Sequence, residues 1–282
     1  MRIRPSRTAS RTASRTASRT ASRTASLAAG LAAVAGAVLA LADPAGAAGV
    51  NYVALGDSYS SGVGASSSYL NSCDQSTSAY PYLYQSAVKP ASFGFEACGG
   101  ATTTDVLNNQ LGPLNSATTL VSMTIGGNDV GFSTVMEDCV LGSDSTCLNA
   151  INSAENTTRT QLPAWLDATY SAIRSHAPSA HVVILGYPHF YDLANSSSCV
   201  GLDTTKRTAL DQGADLLNST IQTEVAKYAN FTWESVASRF AGHELCDSTP
   251  WLHSLTWPIG SSYHPTAAGQ SGAYLPALEA GL

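Results

Sequence analysis

Four short segments carry residues suited to nucleophilic and proton-transfer chemistry. Ser58 stands in Gly56-Asp57-Ser58 at the end of an apolar run, with Ser60, Ser61, Gly62 and Gly64 just beyond it. This is the pattern of a strand that turns sharply into a helix and presents a hydroxyl beside backbone N–H groups, which favour developing negative charge. A serine there serves equally well as a simple N-cap, and the segment alone leaves both readings open. Gly99-Gly100 is either a plain turn or a place where a free N–H approaches a ligand closely, as glycine permits. Asn128, in Gly126-Gly127-Asn128-Asp129, offers an amide able to donate to an oxyanion, whereas Asp129 only accepts; such residues also make ordinary turns. His264 stands in Ser261-Ser262-Tyr263-His264-Pro265, just before a helical pattern whose first turn suits Pro265. Histidine is the side chain best able to take a serine proton near neutral pH. The other five compete poorly: His176 lies at a helix end, His181 opens a strand, and His189, His243 and His253 fall in long loops. Of these, His189 and His253 are candidates for the neighbourhood of a pocket.

These residues need a frame that delivers them to one place. Val50 to Leu55 reads as a buried strand and Phe93 to Cys98 as a second, short one. Leu120 to Ile125 is a third, stopped by Gly126-Gly127, followed by His181 to Leu185 and Phe231 to Val236. Helical spacing marks Thr102 to Leu111, the segment through Leu162, Trp165, Leu166, Tyr170 and Ile173 that ends near Pro178, Asp203 to Tyr228, and Thr266 to Leu278. Strands alternating with helices, and continuously apolar strands, predict a parallel sheet covered on both faces. Open sheets of this kind bind ligands beyond the carboxyl ends of their strands, where the Ser58 and Asn128 segments both fall. No linker or charge run divides residues 48–282, which are therefore expected to form one domain.

The first 47 residues read differently. Arg-Thr-Ala-Ser repeats from Ser6 to Ser26, and an apolar run of 16 residues follows from Leu27 to Ala42. With the small residues Ala45-Gly46-Ala47 beyond it, this is the pattern of a secretory signal peptide cut after Ala47. The run is short of the ~20 residues that span a bilayer, so no stable membrane anchor is expected. Removing residues 1–47 takes away seven of the 14 basic residues and one of the 20 acidic ones, which moves the net charge from −6 to −12. That excludes a nucleic-acid binder working by phosphate neutralisation and gives no electrostatic help toward anionic lipid. Export also suits the cysteines. Cys73, Cys98, Cys139, Cys147, Cys199 and Cys246 number six, which in an oxidising compartment reads as three disulfides. The sequential pairing Cys73–Cys98, Cys139–Cys147 and Cys199–Cys246 is expected, because it crosses no loops and each pair brackets a loop-rich stretch. No Cys-x-x-Cys or His-x-x-x-His spacing is present, so no metal site is expected.

Taken in order, the four blocks resemble the SGNH or GDSL hydrolases: Gly56-Asp57-Ser58 as the nucleophile block, Gly100 as the glycine block, Gly126-Gly127-Asn128-Asp129 as the asparagine block and His264 as the histidine block. The resemblance covers essentially the whole chain after the leader. Tyr-Val-Ala-Leu-Gly-Asp-Ser-Tyr-Ser, Thr-Ile-Gly-Gly-Asn-Asp-Val-Gly-Phe and Trp-Leu-His-Ser-Leu-Thr are most similar to the secreted actinobacterial lipases and esterases, whose three sequential disulfides also look like the pattern here. It implies a three-layer α/β/α sandwich with a five-stranded parallel sheet in flavodoxin-like order. Ser58 would attack an ester carbonyl, and His264 would take the serine proton and later pass it to the departing alcohol. The N–H groups of Ser58 and Gly100, with the Asn128 side chain, would form the oxyanion hole, and water would release the acid from an acyl-Ser58 intermediate. No metal or organic cofactor is implied.

Two departures from that pattern bear on mechanism. The family usually places an aspartate three residues before the histidine, where this chain has Ser261. A neutral hydroxyl does not stabilise an imidazolium as a carboxylate does. A Ser58–His264 dyad is therefore expected, with the main-chain carbonyl of Ser262 or Ser261 orienting the ring; a bond from Asp57, Asp129 or Asp247 to His264 would overturn it. The second departure is Cys73-Asp74-Gln75-Ser76, where several relatives carry an arginine near the cysteine. Trp251, Leu252, Leu255, Trp257, Pro258 and Ile259 crowd the approach to His264, either as an acyl-binding wall or as loop packing. The leading expectation is hydrolysis of lipid or small acyl esters by a secreted monomer. The alternatives are a polysaccharide acetyl esterase and a non-catalytic carbohydrate-binding protein on the same fold. An α/β-hydrolase is excluded by the absence of Gly-x-Ser-x-Gly, since Gly269-Gln270-Ser271-Gly272-Ala273 is one residue out of pattern.

Overall fold

In the computed structural model the described residues are 49–195 and 199–282, so the leader read over residues 1–47 lies outside them. The strands are β1 (Asn51–Gly56), β2 (Ser92–Phe95), β3 (Leu120–Thr124), β4 (His181–Leu185) and β5 (Phe231–Glu234). All pair in parallel, in the order β2-β1-β3-β4-β5. The apolar runs explain which strands are central. Val53, Leu55, Val121, Met123 and Val182 to Leu185 are buried on both faces of the sheet, whereas β2 and β5 are half-buried edges.

Helices cover both faces. On one side α2 (Tyr80–Val88) packs against α10 (Leu275–Ala280), with the short α1 (Ser58–Ser61) beside α2 and α8 (Ala237–Phe240) beside the segment leading into α10. On the other, α3 (Thr103–Asp105), α6 (Leu162–His176) and α7 (Thr204–Val225) lie together, and α7 carries α5 (Asp144–Thr160), against which α4 (Phe132–Leu141) packs. The result is the three-layer α/β/α sandwich with a five-stranded parallel sheet expected from the sequence. α9 (Ala267–Gly269) leads into α10 through a wider helical turn, Gln270–Tyr274.

Several expectations about the elements need correction. β5 stops at Glu234 rather than Val236. β2 stops at Phe95 rather than Cys98, because the N–H groups of Glu96 and Ala97 both turn to the Ala54 carbonyl and interrupt the regular ladder. The long helix ends at Val225, where the N–H of Lys227 folds back onto the Glu224 carbonyl, not at Tyr228. α2, α4 and α5 were not predicted. α5 is polar over most of its length and buries only Cys147, Ile151 and Thr158, so its apolar period is too sparse to read.

The order of the strands locates the site. The chain passes from β1 outward to β2 and then back across β1 to β3, so the crevice beyond the carboxyl ends of β1 and β3 is the topological switch point of the sheet. Gly56 makes the turn out of β1. Its φ of +119° lies where side chains are strained, and a Cβ there would stand 2.4 Å from the Thr124 carbonyl oxygen.

Candidate active site

Ser58 begins α1 at this crevice and is 8% exposed. It is not the N-cap. That role falls to Asp57, whose carboxylate accepts the Tyr59 N–H at 3.0 Å and leaves the serine hydroxyl free for another partner. α1 is fastened to the sheet by Ser60, whose Oγ accepts the Thr124 N–H at 2.9 Å, and by Gln270, whose amide donates to the Tyr59 carbonyl at 2.9 Å.

His264 Nε2 lies 2.8 Å from Ser58 Oγ, and His264 Nδ1 lies 3.0 Å from the Ser262 carbonyl oxygen. A carbonyl only accepts, so Nδ1 carries the ring proton and Nε2 presents a lone pair to the serine O–H. The ring is thus set as a base toward Ser58. Of the two carbonyls considered, Ser262 holds the ring, while Ser261 accepts the main-chain N–H of His264 at 3.3 Å. None of the described carboxylates is hydrogen-bonded to His264. Asp57 is occupied by Tyr59, Thr124 and Tyr187, Asp129 by the N–H and hydroxyl of Thr103, and Asp247 by the Glu244 N–H.

Removal from water pushes the His264 pKa down to about 4, helped by His253 nearby and opposed by the bond to Ser262. His253 is one of the two histidines expected near a pocket. It exchanges backbone hydrogen bonds with Tyr263 and His264 and rests its Nε2 2.8 Å from the Gly64 carbonyl, so it braces the histidine loop against the turn after α1. The other, His189, pairs instead with Asp215 at 2.7 Å beside a separate acidic hollow.

The three expected oxyanion donors differ in what they are bonded to. Among the described residues the backbone N–H groups of Ser58 and Gly100 have no acceptor in the protein, and Gly100 holds a φ of +77° with nothing within 4 Å of where a Cβ would be. Asn128 Nδ2 donates to the Ala101 carbonyl at 2.9 Å, which fixes the amide and leaves its second hydrogen available.

The family follows from matching this chain to known proteins. A family model described as GDSL-like lipase/acylhydrolase matches residues 54–271, a stretch that begins in β1 and ends past His264. The chain belongs to this family. It is similar to Lipase 1 of Streptomyces coelicolor, at 55% identity over 84% of this chain and 88% of that one. It is also similar to two solved structures, a phospholipase A1 from Streptomyces albidoflavus NA297 (52% identity, TM-score 0.80) and an extracellular lipase from Streptomyces rimosus (50% identity, TM-score 0.80). Each covers 83% of this chain and is itself covered in full. This GDSL-type chain is a secreted carboxylic ester hydrolase.

Several residues that position the GDSL site carry no local sequence signal. Tyr187, two residues beyond β4, donates its hydroxyl to Asp57 and accepts the Gly127 N–H at 3.2 Å, so one oxygen ties the serine turn to the asparagine turn. Thr124 donates to Asp57 at 2.6 Å, and Gln110 bonds both backbone groups of Gly56, at 2.7 and 2.9 Å. Burial pushes the Asp57 carboxyl up to about 6 against the pull of these donors. Each contact spans 50 residues or more, beyond the reach of any spacing rule.

The apolar residues expected to crowd His264 divide. Leu255 and Ile259 line a groove beside it with Met136 and Val140, whereas Leu252 is buried and Trp251 stacks on His243, 3.7 Å between ring centroids. Trp257 is 88% exposed. The structure joins Cys73 to Cys98, Cys139 to Cys147 and Cys199 to Cys246. Among the described residues the acids that gather closely enough to hold a cation are Asp192, Glu244 and Asp247, which share no lining with the Ser58 crevice. Also among them, no helix is long and apolar enough to cross a membrane.

Proposed function

We propose that Ser58 and His264 form a catalytic dyad that hydrolyses carboxylic esters bearing an acyl chain. The observation that carries this reading is the 2.8 Å contact from Ser58 Oγ to a His264 Nε2 whose partner on the other side, a main-chain carbonyl, leaves it no proton of its own. His264 takes the hydroxyl proton as Oγ bonds to the ester carbon. The carbonyl oxygen becomes an oxyanion facing the N–H groups of Ser58 and Gly100 and the Asn128 amide, donors that gain most as charge develops. Collapse breaks the ester C–O bond, the imidazolium returns its proton to the leaving alcohol, and acyl-Ser58 remains. Water then attacks the acyl carbon, losing a proton to His264. The second collapse breaks the bond to Oγ, which is reprotonated, and the acid is released.

Apolar space on either side of the dyad favours lipid esters over acetyl groups on polysaccharide, and relatives named as lipases and a phospholipase A1 support the same class. Every group invoked belongs to one chain, which supports action as a monomer, with the leader removed after Ala47. The test is hydrolysis of a chromogenic ester series from acetyl to long acyl by the oxidised protein and its Ser58→Ala variant. Activity that peaks beyond acetyl and falls by about a thousandfold or more in the variant is expected. Activity retained by Ser58→Ala overturns the dyad, and a peak at acetyl overturns the lipid reading in favour of the polysaccharide esterase.

A further inference from the structure

Tyr59 follows the nucleophile, Tyr263 precedes the base, and the two are joined. The Tyr59 hydroxyl donates to the Tyr263 carbonyl oxygen at 2.7 Å, and both residues are buried. The Tyr59 backbone is held as well, its N–H by the Asp57 carboxylate and its carbonyl by the Gln270 amide. Burial, with Asp57 nearby, holds the phenol pKa well above its ordinary value, so the hydroxyl remains a donor. The Tyr59 ring stands 5.2 Å from the His264 ring, centroid to centroid.

Tyr263 is a residue that needs holding. Its φ is +62°, in the left-handed region that few side chains besides that of asparagine enter without cost. Ser261 to His264 form a turn, closed by the His264 N–H on the Ser261 carbonyl at 3.3 Å, and Ser262 within it has φ −61° and ψ 138°. These are the angles of a type II turn, which calls for glycine or asparagine where this chain has Tyr263. The commoner type I turn would swing over the peptide between Ser262 and Tyr263, and with it the Ser262 carbonyl that accepts from His264 Nδ1. The strained turn therefore aims that carbonyl at the ring. Two contacts keep it so. The N–H of this peptide donates to the His253 carbonyl at 2.9 Å, and the carbonyl of the next peptide is the one that Tyr59 holds. Tyr263 is fixed between two anchored peptides, and strain of this kind persists where the surroundings over-determine it.

Resting on the dyad reading, we propose that Tyr59 is a positioning residue, whose hydroxyl locks the left-handed Tyr263 so that the Ser262 carbonyl selects the His264 tautomer able to take the Ser58 proton. The strut joins the residue after the nucleophile to the residue before the base, so it also sets the spacing of the pair, across 204 residues of chain.

The experiment replaces Tyr59 by Phe in the oxidised protein and reads two quantities. One is kcat and KM on a soluble butanoyl ester. The other is the His264 tautomer at pH 7, from long-range proton–nitrogen NMR of isotope-labelled histidines, with His264→Gln assigning the signal. Circular dichroism and melting temperature verify folding. The wild type is expected to show the Nδ1–H form alone, and a wild type in the Nε2–H form overturns the proposal at once. Tyr59→Phe is expected to mix in the Nε2–H form and to lower kcat about tenfold or more with KM within about twofold, because a misplaced base costs rate rather than binding. An unchanged tautomer, or an unchanged kcat, overturns the strut. Tyr263→Asn and Tyr263→Val test the turn itself and carry the proposal should Tyr59→Phe misfold. Both lose the ring, but asparagine tolerates a positive φ and β-branched valine does not. Tyr263→Asn is therefore expected to keep the Nδ1–H signal and about tenfold more kcat than Tyr263→Val, and equal behaviour of the two overturns the proposal. Failure of the dyad is a separate result, because hydrolysis then survives Ser58→Ala whatever the tautomer.

Discussion

The acid limb of the activity profile tests how His264 is held. Its pKa is pushed down to about 4 by loss of water, and the carbonyl of Ser262 supplies orientation without charge. Since kcat/KM follows the free enzyme's essential base, activity should persist well below the usual histidine range. At about pH 5.5, roughly nine-tenths or more of the enzyme carries neutral His264 at this pKa, against roughly one-tenth for an unperturbed ring. The assay is kcat/KM on a soluble butanoyl ester from pH 3.5 to 8, with return to pH 7 to confirm that acid has not unfolded the protein. Ser261→Asp is the decisive perturbation, because it places a carboxylate three residues before the ring. An opposite charge within about 4–6 Å favours the protonated form by about one to three pH units, so the limb should rise by at least one. Asp57, at about 6, titrates in the same range beside Ser58, and Asp57→Asn identifies any limb that belongs to it. A wild-type limb at 6.5 or above that persists in Asp57→Asn, or one that Ser261→Asp leaves unmoved, would refute the carbonyl-held base.

Three further outcomes follow from the same contacts. Asn128→Ala should cost about 100- to 1,000-fold in kcat with the fold intact, as loss of one oxyanion donor does, read by steady-state kinetics against circular dichroism. Tyr187→Phe strips one donor from a buried carboxylate and orphans the Gly127 N–H, so urea denaturation should show a loss of about 1–3 kcal/mol together with reduced kcat. Paired serine replacements of the disulfides should lower the melting temperature in the order Cys199–Cys246, Cys73–Cys98, Cys139–Cys147, because the closed loops span 47, 25 and 8 residues; chain entropy gives about 4, 3.5 and 2.5 kcal/mol.

What could be read in the sequence was what repeats along it. Continuous apolar runs mark strands whatever their neighbours, and β4 was located to the residue. The Ser58, Gly100, Asn128 and His264 segments stand out because each sits at a strand end or before a helix, where Gly and Pro punctuate the chain, but singly they read equally as turns and caps, and only their order, in its resemblance to the family, implies their roles. The frame that holds them was not legible. Tyr187 lies 130 residues from Asp57, and Gln110 lies 54 from Gly56, joined only once the sheet is formed. The choice between Ser261 and Ser262 was equally invisible, because it depends on which carbonyl the loop turns toward the ring and not on side-chain identity.

The two shifted groups beside Ser58 pull on stability in opposite directions. His264 has a folded pKa below its unfolded value of 6.5, so its contribution is present above pH 6.5 and lost as pH falls toward 4. Asp57 has a folded pKa above its unfolded 3.8, so its buried charge costs nothing below that pH and the cost grows as pH rises toward 6. Each shift corresponds to about 3 kcal/mol and the two windows nearly coincide, so these two nearly cancel across mild acid, while Asp211, also pushed up to about 6 by burial, adds a cost that grows with pH as that of Asp57 does. An ordinary triad would put a carboxylate against the ring, raise its pKa and draw the loss of active base up toward neutrality. Holding the ring with a carbonyl forgoes that support for the imidazolium in the transition state. It keeps the base neutral over the same acid range, which suits an enzyme that works outside the cell, where pH is not held constant.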